Sequence, residues 1–219
     1  ENGYFKGTKV IGDAYCSMLE PKLYGSYEKE LWDEVWPLIK EKDHGYFVDV
    51  GCAEGFYLAG FAAVGMFDVY VGIDIDEKAL TAARKNILLN SKRSDDNFYL
   101  GSDVFKVEEE YNLRFRQGSG LVLVDGEGFE LNLVNQEFLN VFKNYVIIIE
   151  LHDFTDPFAF RDFVDMILSK SSRNHKIVYS LDAWEKTLIE DYSWEQNAYV
   201  RMRRMNEFRG SKMRWLVLY

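Results

Sequence analysis

Short apolar runs alternate with longer segments of mixed polarity along most of the chain. Seven of the runs are rich in valine, isoleucine and aromatic residues, and VIIIEL is almost wholly apolar. Strands that are buried on both faces have this composition, so the runs predict β-strands. The predicted strands cover residues 45–50, 68–74, 97–101, 120–125, 145–151, 175–181 and 213–219.

Helices are predicted before the first strand and between most of the later ones. They cover about residues 27–42, 55–65, 77–90, 130–143 and 157–170. Strands that alternate with helices are typical of α/β proteins, in which helices cover both faces of a mainly parallel sheet. In such sheets the functional residues lie at the carboxyl ends of the strands.

The length of 219 residues suits one domain, and no repeat or linker divides it. Within that single domain, residues 1–219, we expect three parts. A helical N-terminal cap covers residues 1–44, a cofactor-binding core covers residues 45–154, and a C-terminal part covers residues 155–219. An insertion at residues 183–212 precedes the last strand.

The formal net charge is −10, which makes nucleic acid an unlikely partner because phosphate contacts dominate the affinity for it. One stretch, residues 201–214, is basic and is either a solvated face or a phosphate-recognising patch. Cys16 and Cys52 lie far apart, so no disulfide framework or thiolate metal site is indicated. With no apolar run long enough to span a membrane and no visible signal peptide, we expect a cytoplasmic protein without a membrane partner.

A glycine-containing turn follows the first predicted strand, in the sequence VDVGCAEGF. Asp49 lies just inside the strand, and Gly51, Ala53 and Gly55 follow it before a helix begins. Small residues let the backbone turn sharply and approach a ligand closely. The spacing differs from the glycine pattern of dinucleotide-binding folds. The turn therefore indicates a ligand site of another kind.

Acidic residues stand at the ends of the next two strands. Asp74, followed by Ile75, ends the second strand and is placed to accept hydrogen bonds from both hydroxyls of a ribose. Asp103 ends the third strand and is placed to meet an adenine amino group. Asp76 is expected to have another role, as the N-cap of the helix that begins at Glu77. Together with the glycine turn, these acids predict a nucleoside-containing ligand.

In these features the sequence resembles the class I S-adenosylmethionine-dependent methyltransferases over about residues 45–154. The turn is similar to their methionine-binding glycine loop, although Ala53 stands where glycine is commoner. The resemblance implies methyl transfer from S-adenosylmethionine. It also implies a Rossmann-like, seven-stranded, mainly parallel sheet with helices on both faces and an antiparallel C-terminal strand. The implied cofactor-binding residues are Asp49, Gly51, Ala53, Gly55, Asp74, Ile75 and Asp103.

The fourth and fifth predicted strands end in VDGEGFE and IIIELHD. Methyltransferases that act on nucleic-acid bases often carry an Asn/Asp-Pro-Pro-aromatic motif at the first of these positions, and this chain does not. The two elements instead resemble those of FkbM-type and related sugar or natural-product O-methyltransferases. The resemblance implies that the methyl group is transferred to a hydroxyl.

A hydroxyl is a weak nucleophile until its proton is removed, and a positioned base contributes about 10²- to 10⁴-fold. His152 is the only histidine at the carboxyl end of a strand in the predicted site, and its ordinary pKa suits this task. Asp125, Glu127, Glu150 or Asp153 could orient the imidazole or stabilise its protonated form. We therefore predict His152, Asp125 and Glu150 as catalytic residues.

Other interpretations of the same residues remain open. Mg²⁺ could be bound by the four acids with His152, although no spacing among the five is diagnostic. Glu150 could instead pair with an arginine, and His152 could be structural. Glu130 is expected in the first turn of a helix, where the dipole favours an acid.

The predicted activity is O-methylation of a hydroxyl on a sugar or another small polar metabolite. One alternative is methylation of a nucleic acid or protein, with residues 201–214 as the docking surface; phosphate-driven binding would then weaken steeply with salt. Another is a non-catalytic nucleoside-binding module. Acids and a histidine at two strand ends favour the enzyme, because a bare binding module does not need them.

Overall fold

The computed structural model describes residues 3–11, 17–40, 44–91, 98–154, 156–188, 195, 197–209 and 211–219. Seven strands form one sheet in the order β3-β2-β1-β4-β5-β7-β6. They are β1 (His44–Val50), β2 (Phe67–Ile73), β3 (Phe98–Gly101), β4 (Gly120–Val124), β5 (Tyr145–Glu150), β6 (His175–Tyr179) and β7 (Arg214–Leu218). Strand β7 runs antiparallel to both β5 and β6, whereas the other neighbouring pairs are parallel. The predicted fold class is therefore confirmed.

Helices cover both faces of this sheet. Those in the described residues are α1 (Leu19–Tyr24), α2 (Lys29–Ile39), α3 (Phe56–Val64), α4 (Glu77–Asn90), α5 (Val104–Glu110), α6 (Glu130–Leu133), α7 (Gln136–Val141), α8 (Pro157–Lys170), α9 (Ala183–Thr187) and α10 (Ala198–Met205). None of them is both long and apolar enough to cross a membrane.

The two faces of the sheet pack into separate apolar clusters. In β5, Ile148 joins the cluster that contacts α2, α3 and α4, while its neighbours Ile147 and Ile149 join the cluster that contacts α5, α7 and α8. Successive side chains of a strand point to opposite faces. Every residue of β4 and β5 is consequently buried, which explains why these two strands are continuous apolar runs.

Two of the predicted helices differ from those observed. The segment predicted as one helix over residues 130–143 forms α6 and α7, because the side chain of Asn135 accepts hydrogen bonds from the backbone of Glu137 and Phe138 and starts a new helix. Helix α2 is shorter than the predicted range of residues 27–42. Residues 41–42, like residue 97 and Cys16, lie outside the described part of the chain, and Cys52 is buried with a free thiol.

The N-terminal segment lies across α4. The backbone N–H groups of Lys9 and Ile11 donate to the side-chain oxygens of Asn90 and Asn86, each at 2.7 Å. Both asparagines are buried, so their amides take the place of strand pairing for this segment. The ring of Phe5 completes the attachment by packing against the aromatic core of α2 and α3.

The chain between β6 and β7 forms α9 and α10 and is fastened to the N-terminal part by ion pairs. Lys186 of α9 is buried and contacts Glu207, and it lies 3.3 Å from Glu30 of α2. Buried charges are stable only when they are paired and hydrogen-bonded. These contacts hold both segments at the carboxyl edge of the sheet.

Candidate active site

The glycine turn between β1 and α3 has a backbone that only small residues allow. Gly51 has φ +83°, and a Cβ at this position would lie 1.6 Å from the carbonyl oxygen of Asp125. Gly55 has φ +73°, and its Cβ would lie 2.8 Å from that of Ala83. Ala53 also adopts the left-handed conformation, with φ +47°. The alanine therefore preserves the backbone of the glycine that the resemblance leads one to expect here.

Asp74 joins the end of β2 to this turn. Its carboxylate accepts hydrogen bonds from the backbone of Ala53 and of Asp76, each at 2.9 Å. Ile75 follows it with 91% of its surface exposed. As predicted, Asp76 caps α4, by accepting from the backbone of Lys78. Two predicted cofactor-binding residues thus lie beside the glycine turn.

Asp103 lies at the end of β3, along the same edge. Its Oδ1 atom caps α5 by accepting from the backbone of Phe105 at 2.9 Å and of Lys106 at 3.1 Å. An adenine contact for this residue stays a prediction.

Asp49 is almost completely buried beneath the turn. Burial raises its pKa to about 8, and the charges of Asp74, Glu28 and Glu54 add to the effect. Glu54 itself forms a buried ion pair with Lys22 of α1. Asp49 therefore favours its protonated, neutral form near pH 7.

A cavity of about 410 Å³ opens at the carboxyl ends of β4 and β5. Its walls come from these two strand ends, from the N-terminal segment and from the residues before β7. The lining residues are Ser17, Tyr27, Asp125, Glu127, Glu150, His152, Phe154, Glu207, Phe208, Arg209, Ser211 and Met213.

His152 lies in the wall of this cavity with carboxylates beside both ring nitrogens. Its Nδ1 is 3.0 Å from Oε1 of Glu130, and its Nε2 is 3.5 Å from Asp125 and 3.4 Å from Glu127. Burial alone would lower the pKa of His152, but the contact with Glu130 and the charges of Glu150 and Glu127 outweigh it. The pKa is raised as a result, so these acids stabilise the imidazolium form.

Glu150 pairs with an arginine of the segment before β7. Its carboxylate accepts from Arg209 at 2.8 Å and from the indole of Trp215 at 3.3 Å. The same guanidinium contacts Glu28 and donates to Glu207 at 2.8 Å. This agrees with the alternative in which Glu150 pairs with an arginine; a catalytic role for it stays a prediction. Burial raises the pKa of Glu28 to about 6 despite the arginine.

The five residues considered as a magnesium site do not converge. Ligand atoms of Asp125, Glu127 and His152 lie within 4.8 Å of one another. Glu150 is held by Arg209, and Asp153 pairs with Arg214 of β7. Mg²⁺ demands near-octahedral coordination, chiefly by oxygen. Arginines thus hold two of the four carboxylates, and magnesium binding by the five residues together is not supported.

Two important residues were missed from the sequence. Glu130 was assigned only a place in a first helical turn, yet it is fully buried and is the nearest acid to His152. A signal existed, because Glu130 belongs to the same VDGEGFE element as Asp125. Arg209 was counted as one member of a basic stretch, and no local pattern marks it as the partner of Glu28 and Glu150.

Comparison with solved structures shows which fold these features share. The chain superimposes on a precorrin-6y C5,15-methyltransferase from Geobacter metallireducens (TM-score 0.54, 11% identity, covering 87% of this chain and 88% of that one). It also superimposes on a human methyltransferase 10 domain containing protein (TM-score 0.55, 12% identity, covering 97% of this chain and 89% of that one). A third similar structure is a Bacillus cereus O-methyltransferase in complex with SAH (TM-score 0.53, 13% identity, covering 98% of this chain and 84% of that one). The chain has the methyltransferase fold. No protein-family model matches the sequence, and no curated protein matches it either.

In this methyltransferase fold the basic stretch 201–214 is largely neutralised by acids. Four of its six cations pair with carboxylates, some of them buried. The pairs are Arg204 with Glu195, Arg209 with Glu28, Lys212 with Glu185, and Arg214 with Asp153. Four of the six cations of this stretch thus serve ion pairs within the chain.

Proposed function

We propose that this protein is an S-adenosylmethionine-dependent methyltransferase that acts on a hydroxyl of a sugar or another small polar molecule. One observation carries the proposal. The turn at Gly51 contacts the backbone of Asp125, which is also in the wall of the cavity that contains His152. The residues that resemble a cofactor loop therefore adjoin a cavity with a candidate base, as a transfer reaction requires.

The residues at the first three strand ends fit S-adenosylmethionine. When bound, this cofactor supplies a methyl group already activated by a positively charged sulfur. The exposed side chain of Ile75 offers an apolar surface for a base. The carboxylate of Asp74 uses two of its about four lone-pair positions, so it can also accept bonds from ribose hydroxyls. The Bacillus cereus O-methyltransferase with bound SAH, which shares the fold, supports this choice of cofactor.

His152 takes the proton from the acceptor hydroxyl in this proposal. Its Nδ1 faces Glu130, which fixes the ring and stabilises the imidazolium that forms. Its Nε2 faces Asp125 and Glu127, both of which line the cavity. Because the pKa of His152 is raised, the neutral base becomes more abundant as the pH increases through that pKa. Transfer should therefore increase with pH.

The cavity and its charge favour a small acceptor over a nucleic acid. A volume of about 410 Å³ lies in the range of small-molecule sites. The basic stretch that could have bound phosphates is mostly paired with acids. A small polar acceptor agrees with both observations.

The test begins with titration of S-adenosylmethionine into the protein by calorimetry, followed by transfer of a labelled methyl group to a panel of hydroxyl compounds. We expect His152→Asn to retain cofactor affinity and to lose about 10²- to 10⁴-fold in transfer rate. The matched control is His175→Asn, which changes an exposed histidine of β6 and should leave transfer unaltered.

Three results would contradict parts of this proposal. Absence of cofactor binding would exclude the methyltransferase. Binding without transfer to any acceptor would favour a nucleoside-binding module. Undiminished transfer by His152→Asn would show that another group removes the proton.

A further inference from the structure

The cavity beside His152 is strongly acidic. Its described lining has four carboxylates and one guanidinium; Arg209 pairs with two of the carboxylates, and Lys186 behind the wall also contacts Glu207. The carboxylates are those of Asp125, Glu127, Glu150 and Glu207. Carboxylates at close quarters repel one another and favour a cation among them.

Arg209 does not neutralise the acids nearest His152. Its guanidinium instead contacts the carboxylates of Glu150, Glu207 and Glu28. Asp125 and Glu127 instead face the cavity, with 33% and 70% of their side chains exposed. The negative charge of the cavity is thus concentrated at the ends of β4 and the turn that follows it.

Aromatic rings add a second feature at the same place. Phe154 and Phe208 line the cavity, and 54% and 63% of their surfaces are exposed. The ring of Phe154 lies 5.8 Å from that of His152, centroid to centroid. Aromatic faces attract ammonium groups that lie over the ring. Exposed rings beside carboxylates are therefore suited to a cationic ligand.

We propose that the methyl acceptor carries an ammonium group close to the hydroxyl that is methylated, as in an amino sugar or an amino alcohol. This inference rests on the proposed function, because it concerns the same cavity. The ammonium group binds Asp125 and Glu127, whose oxygens lie 3.5 Å and 3.4 Å from Nε2 of His152. A hydroxyl on a neighbouring carbon then reaches that nitrogen. Phosphorylated acceptors are repelled by the same carboxylates.

Two matched sets of acceptors test the charge preference. One set is glucosamine, N-acetylglucosamine and phosphorylated glucose; the other is serinol, glycerol and glycerol phosphate. Transfer of a labelled methyl group is measured for each at saturating S-adenosylmethionine, at a pH where the amines are protonated. We expect the cationic member of at least one set to react about tenfold faster than its neutral partner, and the phosphorylated members to be slowest.

A variant pair locates the preference at the cavity. Glu127→Gln removes one of the two facing charges and should reduce the preference for amines several-fold. Glu137→Gln makes the same change at an exposed position on α7 and should have no effect. Because Glu127 is largely exposed, its substitution leaves the fold intact.

The outcomes separate this inference from the proposed function. If S-adenosylmethionine binds but neutral or phosphorylated members react as fast as the amines, the charge preference is wrong and the methyltransferase stands. The same holds if neutral or phosphorylated acceptors react and no amine does, whereas cofactor binding without transfer to any acceptor counts against the proposed function. If S-adenosylmethionine does not bind, the proposed function itself fails.

Discussion

The carboxyl edge of the sheet has two halves that are built differently. At β2 and β3 the acids bind nearby backbone, as Asp74 does with Asp76 and Asp103 with Phe105. At β5 the acid binds a side chain from a distant segment, as Glu150 does with Arg209, 59 residues away. The first half is thus specified by short stretches of sequence, whereas the second depends on the whole fold.

The difference also separates the proposed roles. Local hydrogen bonds give a turn and two caps that form wherever the strand and helix form. A network of long-range ion pairs joins the N-terminal cap, β5 and the segment before β7 around the cavity. The half that resembles a shared cofactor site is local, and the half that would select an acceptor is assembled from parts that are far apart in the chain.

Removal of Arg209 should have the largest effect. Arg209→Met leaves Glu28, Glu150 and Glu207 without their common partner, and breaking a buried pair costs about 3–5 kcal/mol. Chemical denaturation should show this loss in the free energy of unfolding. The control Arg116→Met breaks an exposed pair and should cost about 0–1 kcal/mol. Equal losses in the two variants would mean that the network is not a stabilising unit.

A substitution in the glycine turn tests the local half. Gly51→Ala places a Cβ against the carbonyl of Asp125 and adds left-handed strain of about 1–3 kcal/mol. Gly65→Ala has a similar φ of +77° but no atom within 4 Å of the new Cβ. We expect Gly51→Ala to lose S-adenosylmethionine affinity in calorimetry and to unfold more easily than Gly65→Ala. Equal cofactor affinity and equal stability in the two variants would show that the close approach of Gly51 to Asp125 matters for neither property.

The smallest expected effect concerns the pKa of His152. Glu130→Gln removes the acid beside Nδ1, so the pKa of His152 should fall. A raised pKa in the folded state stabilises it at low pH, and this contribution disappears as the pH rises through that pKa. The variant should therefore lose stability mainly on the acidic side. NMR titration of the imidazole signals measures the shift, with exposed His175 as the internal reference; an unchanged His152 titration would refute the role of Glu130.

Much of the fold could be read from the sequence because its signals are local. Helices α4 and α8 have the predicted bounds, since each starts at a capping aspartate and has a clear periodicity. The glycine turn and the acids of β2 and β3 lie in short motifs. The break between α6 and α7 is not predicted, because Asn135 is a single polar residue within the range 130–143 that is predicted as one helix.

The half of the carboxyl edge at β4 and β5 could be predicted only in part. Asp125, Glu127 and His152 follow apolar runs, so their position at strand ends was readable. The pairing of each acid with its arginine could not be predicted, because Arg209 and Arg214 come from the far end of the chain. Charge patterns within one segment carry no information about partners that tertiary packing supplies.

Strand β7 lies between β5 and β6, although it is the last strand in the chain. During synthesis the first five strands can pair as they appear, but the sheet has an open edge until residues 214–218 are available. Arg209, which pairs with Glu28 and Glu150, precedes that strand by a few residues. A chain that ends before β7 would contain the glycine turn but would lack this arginine and one wall of the cavity.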